Sequence, residues 1–190
     1  MVKEKFVFAV WHNAYQLENL DNKSKIQNII DGHFEMLKDM GIDIVFFLVK
    51  DHNGLFYYKT NYGKTATDWD ILNYVIEKSK EYKIAIHPYI NVFGEGEYFL
   101  AEHPEYAERQ RDGTIINWAS PAAKKCRERM LNIIAEIVEK YNIDGIHLDR
   151  IRYKNNSNIG FHPESIKLYK DKYKKEPELG DTNFTQFRCD

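Results

Sequence analysis

The chain has 190 residues, 43% hydrophobic and 14% aromatic, which is enough to bury the core of one globular domain. Its 27 basic and 29 acidic residues give a net charge of −2, so it lacks the basic excess of proteins that bind nucleic acid through the phosphates. With two cysteines, no visible signal peptide and no apolar run of about 18 residues, the sequence predicts a cytoplasmic protein without a membrane partner, or a secreted one if a leader was removed.

Four apolar segments have the composition of buried strands, and each precedes a segment of helical periodicity. The strands are predicted to begin near residues 6, 42, 84 and 144, and the helices to cover about 24–41, 68–82, 120–141 and 163–174. Ser24 is expected to cap the first helix, and Ser120 before Pro121 to begin the third. Residues 93–118 are predicted to form a long irregular connection of a kind that is often functional.

Strict alternation of strands and helices predicts a parallel sheet with right-handed crossovers. An open doubly wound sheet and part of an eight-unit barrel both fit this order. The first strand is not followed by a glycine-rich nucleotide loop, and all four strands end in polar or aromatic clusters, as in barrel enzymes. The predicted fold class is therefore α/β, a parallel (β/α) barrel of TIM type with only about four βα units, a half or truncated barrel.

The fourth strand carries polar side chains in an unusual position. Read with period 2, Ile146 and Leu148 share one face, whereas Gly145, His147 and Asp149 share the other. A strand buried on both faces carries such groups only where they have partners or a function. Asp149 is therefore the predicted catalytic residue; the alternative is a carboxylate that caps a loop or pairs with a following arginine.

The other strand ends supply candidates for substrate binding. On the third strand, period 2 places His87, Tyr89 and Asn91 on one face, which is predicted to meet the same environment as His147 and Asp149. The predicted binding residues are Trp11, His12, Asn13, His87, Tyr89, Asn91, His147 and Arg152. The aromatic and histidine side chains could equally serve as core or loop-anchoring groups, whereas Arg152 is expected to keep Asp149 ionised by its proximity. No spacing of metal ligands is present, so we predict neither a metal nor a cofactor.

Several motifs along the chain occur in a recognisable order. They are Asp144-Gly-Ile-His-Leu-Asp149 with Arg150-Ile-Arg-Tyr153, His87-Pro-Tyr-Ile-Asn-Val92, His103-Pro-Glu-Tyr106 with Arg111-Asp-Gly113, Ser120-Pro121, and Phe161-His-Pro-Glu-Ser165. Together they resemble the glycoside-hydrolase-like family 10 group of barrel proteins, from residue 6 to residue 188. The resemblance implies a barrel that acts on an oligosaccharide or polysaccharide, with Asp149 as nucleophile or acid/base at the end of the fourth strand.

The chain is shorter than such barrels, which need about 250 residues. The resemblance thus predicts a (β/α)4 portion over residues 1–175 and a tail over residues 176–190 that leads towards a missing second half. Glycoside hydrolysis usually needs two carboxyl groups, and only Asp51, Glu95 and Glu97 lie on suitable loops. We therefore expect a homodimer or a second half of the barrel to complete the enzyme. The alternative is a non-catalytic carbohydrate-binding or structural remnant of such a barrel.

Overall fold

A computed structural model describes residues 6–17, 22–154 and 158–189 of the chain. The strands are β1 (Ala9–His12), β2 (Ile44–Lys50), β3 (Ala85–Asn91), β4 (Ala107–Arg109), β5 (Ile115–Ala119) and β6 (His147–Asp149). The helices are α1 (Lys23–Asp39), α2 (Ile71–Tyr82), α3 (Phe99–Glu102), α4 (Lys124–Lys140), α5 (Pro163–Tyr173) and α6 (Thr182–Cys189), with 3-10 turns at Ala14–Leu17 and Pro104–Tyr106. None of the helices in these ranges combines the length and apolar composition that a bilayer crossing requires.

The main sheet has the strand order β1-β2-β3-β6, and β2 pairs in parallel with both β1 and β3. The predicted α/β class with a parallel sheet is thus confirmed, while closure into a barrel stays a prediction. The register sets Trp11 beside Phe46 and Phe46 beside His87. Residues at matching register project to the same side of a sheet, so this row of rings crosses three strands.

The chain divides into two compact units. The first contains Met1–Lys50, Leu55–Ile90 and Ile137–Leu148, and the second contains Asp51–Gly54, Asn91–Glu136 and Asp149–Asp190. Helices α1 and α2 belong to the first unit, and α5 and α6 belong to the second.

Helix α1 of the first unit begins at Lys23, and its cap differs from the predicted one. The Asn22 carboxamide, not the Ser24 hydroxyl, accepts the backbone N–H groups of Ser24 and Lys25, at 2.9 and 3.3 Å. Asparagine is as good a helix cap as serine, and here it comes first along the chain. The helix then buries one stripe at helical spacing: Ile26, Ile30, Phe34 and Leu37.

The predicted irregular connection over residues 93–118 in the second unit is wrong. It contains α3 and an antiparallel hairpin of β4 and β5. The hairpin turns at Asp112-Gly113, where Gly113 has a φ of 87° and the Asp112 carboxylate accepts the Thr114 N–H at 2.9 Å. Aspartate followed by glycine is a strong hairpin signal, although the strands here are too short to show a period-2 pattern.

The third predicted helix also begins later than its sequence suggests. Helix α4 begins at Lys124, and the Ser120 hydroxyl donates to Glu108 at 2.9 Å instead of capping a helix. The start of α5 is confirmed, since the His162 ring accepts the Glu164 N–H at 3.2 Å immediately before Pro163.

Helix α6 closes a small apolar cluster at the end of the second unit. The cluster is built from Phe161, Tyr169 and Phe184, all buried. The Phe184 ring lies 5.0 Å from that of Phe161 and 5.3 Å from that of Tyr169, between ring centroids. Part of the predicted tail is therefore a helix with a buried face.

Candidate functional site

Rings from β1, β2, β3 and β6 meet on one side of the sheet in the first unit. Phe46 lies at their centre, with ring centroids 5.1 Å from Trp11, 4.7 Å from His147 and 5.7 Å from His87. The Tyr89 ring contacts His147 edge-on at 6.2 Å. We call these five residues the aromatic group. Their contacts confirm that His87, Tyr89 and His147 share a side, as the period-2 pattern predicted.

The Asp144-Gly145 pair explains how β6 is placed beside β3. The Asp144 carboxylate accepts the Ile86 N–H at 2.9 Å, and the Asp144 N–H donates to the Ile86 carbonyl at 3.1 Å. A Cβ on Gly145 would lie 2.7 Å from the His87 ring, closer than such contacts occur. Only glycine therefore lets the imidazole of His87 occupy this position.

The exposed part of the aromatic group combines an indole face with polar side chains. Trp11 is 56% exposed, which is high for an indole. The Tyr89 hydroxyl donates to the side-chain oxygen of Asn13, which is itself exposed. An amphipathic indole face beside polar side chains offers both stacking and hydrogen bonding to a ligand.

His12 is not part of the aromatic group, although the sequence predicted it as a binding residue alongside Trp11 and Asn13. Successive residues of a strand point to opposite sides, and the His12 ring packs against Phe47 and against His33 of α1. The two imidazoles share a hydrogen bond of 2.8 Å between His12 Nε2 and His33 Nδ1. Burial, and then the nearby His33, lower the pKa of His12 to about 4.

This lowered pKa predicts an acid-sensitive fold. Between pH 6.5, the ordinary value, and pH 4 the unfolded chain binds a proton at His12 that the folded chain does not. The free energy of unfolding should therefore fall as pH drops through this window, by about 3 kcal/mol, and this contribution should level off below it. Urea unfolding at several pH values measures the slope. His12→Gln should flatten it, whereas His52→Gln, at an exposed histidine, should leave it unchanged.

Asp149 is the last residue of β6 and lies in the second unit. Its side chain is 43% exposed, and its backbone carbonyl accepts the Val92 N–H at 2.8 Å. One carboxylate oxygen accepts the Arg150 N–H at 2.7 Å, and the other lies 3.8 Å from Arg150 Nε. The carboxylate is thus held in place while a large part of it stays open to solvent.

The cation next to Asp149 differs from the predicted one. The ion pair forms with Arg150, whereas the sequence assigned this role to Arg152. Arg150 adopts a left-handed backbone with φ of 55°, which ends the strand and turns its guanidinium back towards the carboxylate and over the Trp118 ring, 5.9 Å from the centroid. The Trp118 indole N–H donates to the Arg152 carbonyl at 3.0 Å. Trp118 therefore anchors the segment after Asp149, a role that its position in the predicted connection gave no reason to expect.

The three loop carboxylates considered as partners for Asp149 differ in their surroundings. Asp51 is buried and accepts the Asn53 N–H at 2.9 Å, so it shapes a turn. Glu95 is 1% exposed and pairs with Arg129 at 3.1 Å, whose guanidinium stacks on a phenylalanine ring. Glu97 is exposed. Asp51 and Glu95 therefore have structural roles.

The remaining predicted binding residues in the second unit are Asn91 and Arg152. Asn91 is buried at the end of β3, with 1% of its surface exposed, and the side chain of Arg152 is exposed. Within the described ranges, no three histidine, cysteine or carboxylate side chains are grouped so that they could hold a metal ion.

Comparison with known proteins identifies a family. The family described as Glycosyl hydrolase-like 10 matches residues 7–190. An S-layer-related protein of Niallia circulans is 30% identical, over 47% of this chain and 7% of that protein. This chain thus spans a small part of that relative.

Solved structures with a similar fold include two glycosidases. The alpha-L-fucosidase isoenzyme 2 of Paenibacillus thiaminolyticus has a TM-score of 0.74 at 17% identity, covering 96% of this chain and 28% of that one. The PgaB (BpsB) glycoside hydrolase domain of Bordetella bronchiseptica has a TM-score of 0.75 at 12% identity, covering 96% of this chain and 55% of that one. A hypothetical protein of Ruminiclostridium thermocellum has a TM-score of 0.61 at 16% identity, over 90% and 94% of the two chains. At identities of 12–17%, these similarities show a related fold and nothing further.

Proposed function

The chain belongs to the glycosyl hydrolase-like 10 family, and from this we propose that it acts on a glycan by hydrolysis, with Asp149 as nucleophile or acid/base. The observation that carries the proposal is the position of Asp149. Its carboxylate lies at the carboxyl end of a strand in a parallel sheet, where barrel enzymes carry their chemistry, and 43% of its surface is open to solvent.

The surroundings of Asp149 suit a group that must be held in one orientation. The Arg150 N–H donates to one carboxylate oxygen at 2.7 Å, and the Arg150 guanidinium lies 3.8 Å from the other. A carboxylate can attack an anomeric carbon or stabilise the positive charge that develops on it. The aromatic group of the first unit, with Trp11 exposed, is proposed as a separate surface on which a sugar stacks.

A second carboxyl group is still required. Since Asp51 and Glu95 are held in structural contacts, we propose that it comes either from the exposed Glu97 or from another segment, in a second copy of this chain or the second half of a barrel.

A panel of oligosaccharides tests this function. Each is incubated with the chain over a wide pH range, and release of new reducing ends is measured together with binding. Hydrolysis of at least one glycan is expected. Binding without turnover at every pH would instead support the alternative, a carbohydrate-binding remnant, which the exposed indole of Trp11 would serve equally well.

A further inference from the structure

The second unit contains a cavity of about 490 Å³ with a strongly basic lining. Four cationic side chains contribute to it: Arg127, Arg152, Lys172 and Arg188. None of the lining residues in the described part of the chain is acidic. The volume lies within the range of about 300–1,000 Å³ that is usual for small-molecule sites.

This lining reverses the charge balance of the whole chain, whose net charge is −2. A guanidinium has five N–H donors and an ammonium has three, so each can hold a contact within the protein and still donate to a ligand. An anion in the cavity would accept charge-assisted hydrogen bonds from these groups. The cavity therefore favours a negatively charged occupant.

Two of the four cations are held in position by neighbouring backbone. Arg127 Nη1 donates to the carbonyls of Pro121 and Ala122 at 2.7 and 2.6 Å. Arg188 Nη1 donates to the Ile159 carbonyl at 3.0 Å. Guanidinium groups that are already ordered lose little entropy when they bind a carboxylate.

Tyr153 gives a second indication that these two guanidinium groups converge. Burial raises the pKa of this phenol, and both Arg127 and Arg188 act on it in the opposite direction. Both cations therefore lie within electrostatic reach of the same hydroxyl, and Tyr153 is itself one of the lining residues.

The cavity wall is not purely polar. Ile151 and Leu168 line it and are 57% and 46% exposed. A bare inorganic anion would leave these apolar surfaces wet, whereas a ring with apolar C–H faces would cover them. The lining thus fits a ligand that combines a negative charge with a ring.

From these contacts we propose that the cavity binds the carboxylate-bearing ring of an acidic glycan. The choice of a glycan rests on the proposed function; the preference for an anion rests on the cavity itself. Arg152, three residues after Asp149, contributes to the lining from the segment that Trp118 anchors. Its predicted role thereby becomes recognition of substrate charge.

Binding measured by titration calorimetry tests the proposal in the full chain carrying Asp149→Asn, so that turnover does not interfere. The probes are an oligogalacturonate, the same oligomer fully methyl-esterified, and sodium sulfate. The acidic oligomer should bind at least about tenfold more tightly than its neutral ester, and more weakly as salt is raised. Lys172→Glu should weaken its binding by about tenfold or more, with Lys172→Gln intermediate.

Lys167→Glu is the matched control, because it makes the same charge change on the same exposed helix α5 but outside the cavity lining. It should alter the dissociation constant by less than about twofold. Equal affinity for acid and ester, equal losses in both variants, or sulfate bound as tightly as the oligomer would each overturn the proposal. If the unmodified chain hydrolyses neutral glycans and shows no preference for anions, the cavity proposal fails and the proposed function stands. If the chain binds the acidic oligomer selectively but hydrolyses no glycan, the cavity proposal stands and the proposed function fails.

Discussion

Replacing Asp149 with asparagine is expected to lower the rate of glycan hydrolysis by about a thousandfold or more, to the background of the assay. An amide can neither act as the nucleophile nor transfer the proton at the glycosidic oxygen. The fold should survive the change, because asparagine keeps an oxygen that accepts the Arg150 N–H at 2.7 Å. The lost ion pair is exposed, so it should cost less than about 1 kcal/mol.

The measurement compares reducing-end release with thermal unfolding for the same protein samples. Asp112→Asn is a suitable control, since Asp112 is likewise an aspartate that accepts a backbone N–H, at 2.9 Å from Thr114, in an exposed turn. It should retain full activity. If Asp149→Asn hydrolyses a glycan as fast as the unmodified chain does, Asp149 is not the catalytic residue.

Period-2 alternation was enough to predict the shared side of His87, Tyr89 and His147, because strand geometry is local and repeats at every second residue. The same rule failed immediately after β6. It placed Arg150 on the side opposite Asp149, so proximity favoured Arg152 as the neighbouring cation, but the left-handed backbone of Arg150, with φ of 55°, ends the alternation and brings its own guanidinium to the carboxylate. A period-2 pattern cannot be extrapolated past a change of backbone conformation. An arginine in the sequence does not indicate a left-handed backbone, which is uncommon for residues other than glycine.

The motif residues Ser120 and His162 show a different limit. Both were read as parts of helix starts, which are local, and His162 does cap α5. Their shared partner is Glu108, which lies 12 residues before the serine and 54 before the histidine. Glu108 sits in a three-residue strand without apolar periodicity, so no local pattern marked it. Long-range hydrogen bonds of this kind become visible only once the fold is known.

Glu108→Ala is expected to lower the free energy of unfolding by about 3–5 kcal/mol, because it leaves three buried hydrogen-bond donors without an acceptor. The carboxylate is completely buried; one oxygen accepts the N–H groups of Arg109 and His162, at 2.7 and 3.1 Å, and the other accepts the Ser120 hydroxyl at 2.9 Å. These contacts join the β4–β5 hairpin to the start of α5. Alanine would replace them with a cavity and unsatisfied buried groups.

Glu108→Gln separates the charge of the side chain from its hydrogen bonds and packing. The glutamine oxygen can accept both N–H groups, and its NH₂ can donate to the Ser120 hydroxyl, which rotates to accept, so the loss should be near 1 kcal/mol. Glu128→Ala, which removes an exposed ion pair with Lys125, should cost less than about 0.5 kcal/mol. Urea unfolding of the three variants measures the series. Equal losses for alanine and glutamine would mean that Glu108 stabilises the second unit by its charge, because glutamine keeps both the packing and an oxygen that accepts the N–H groups.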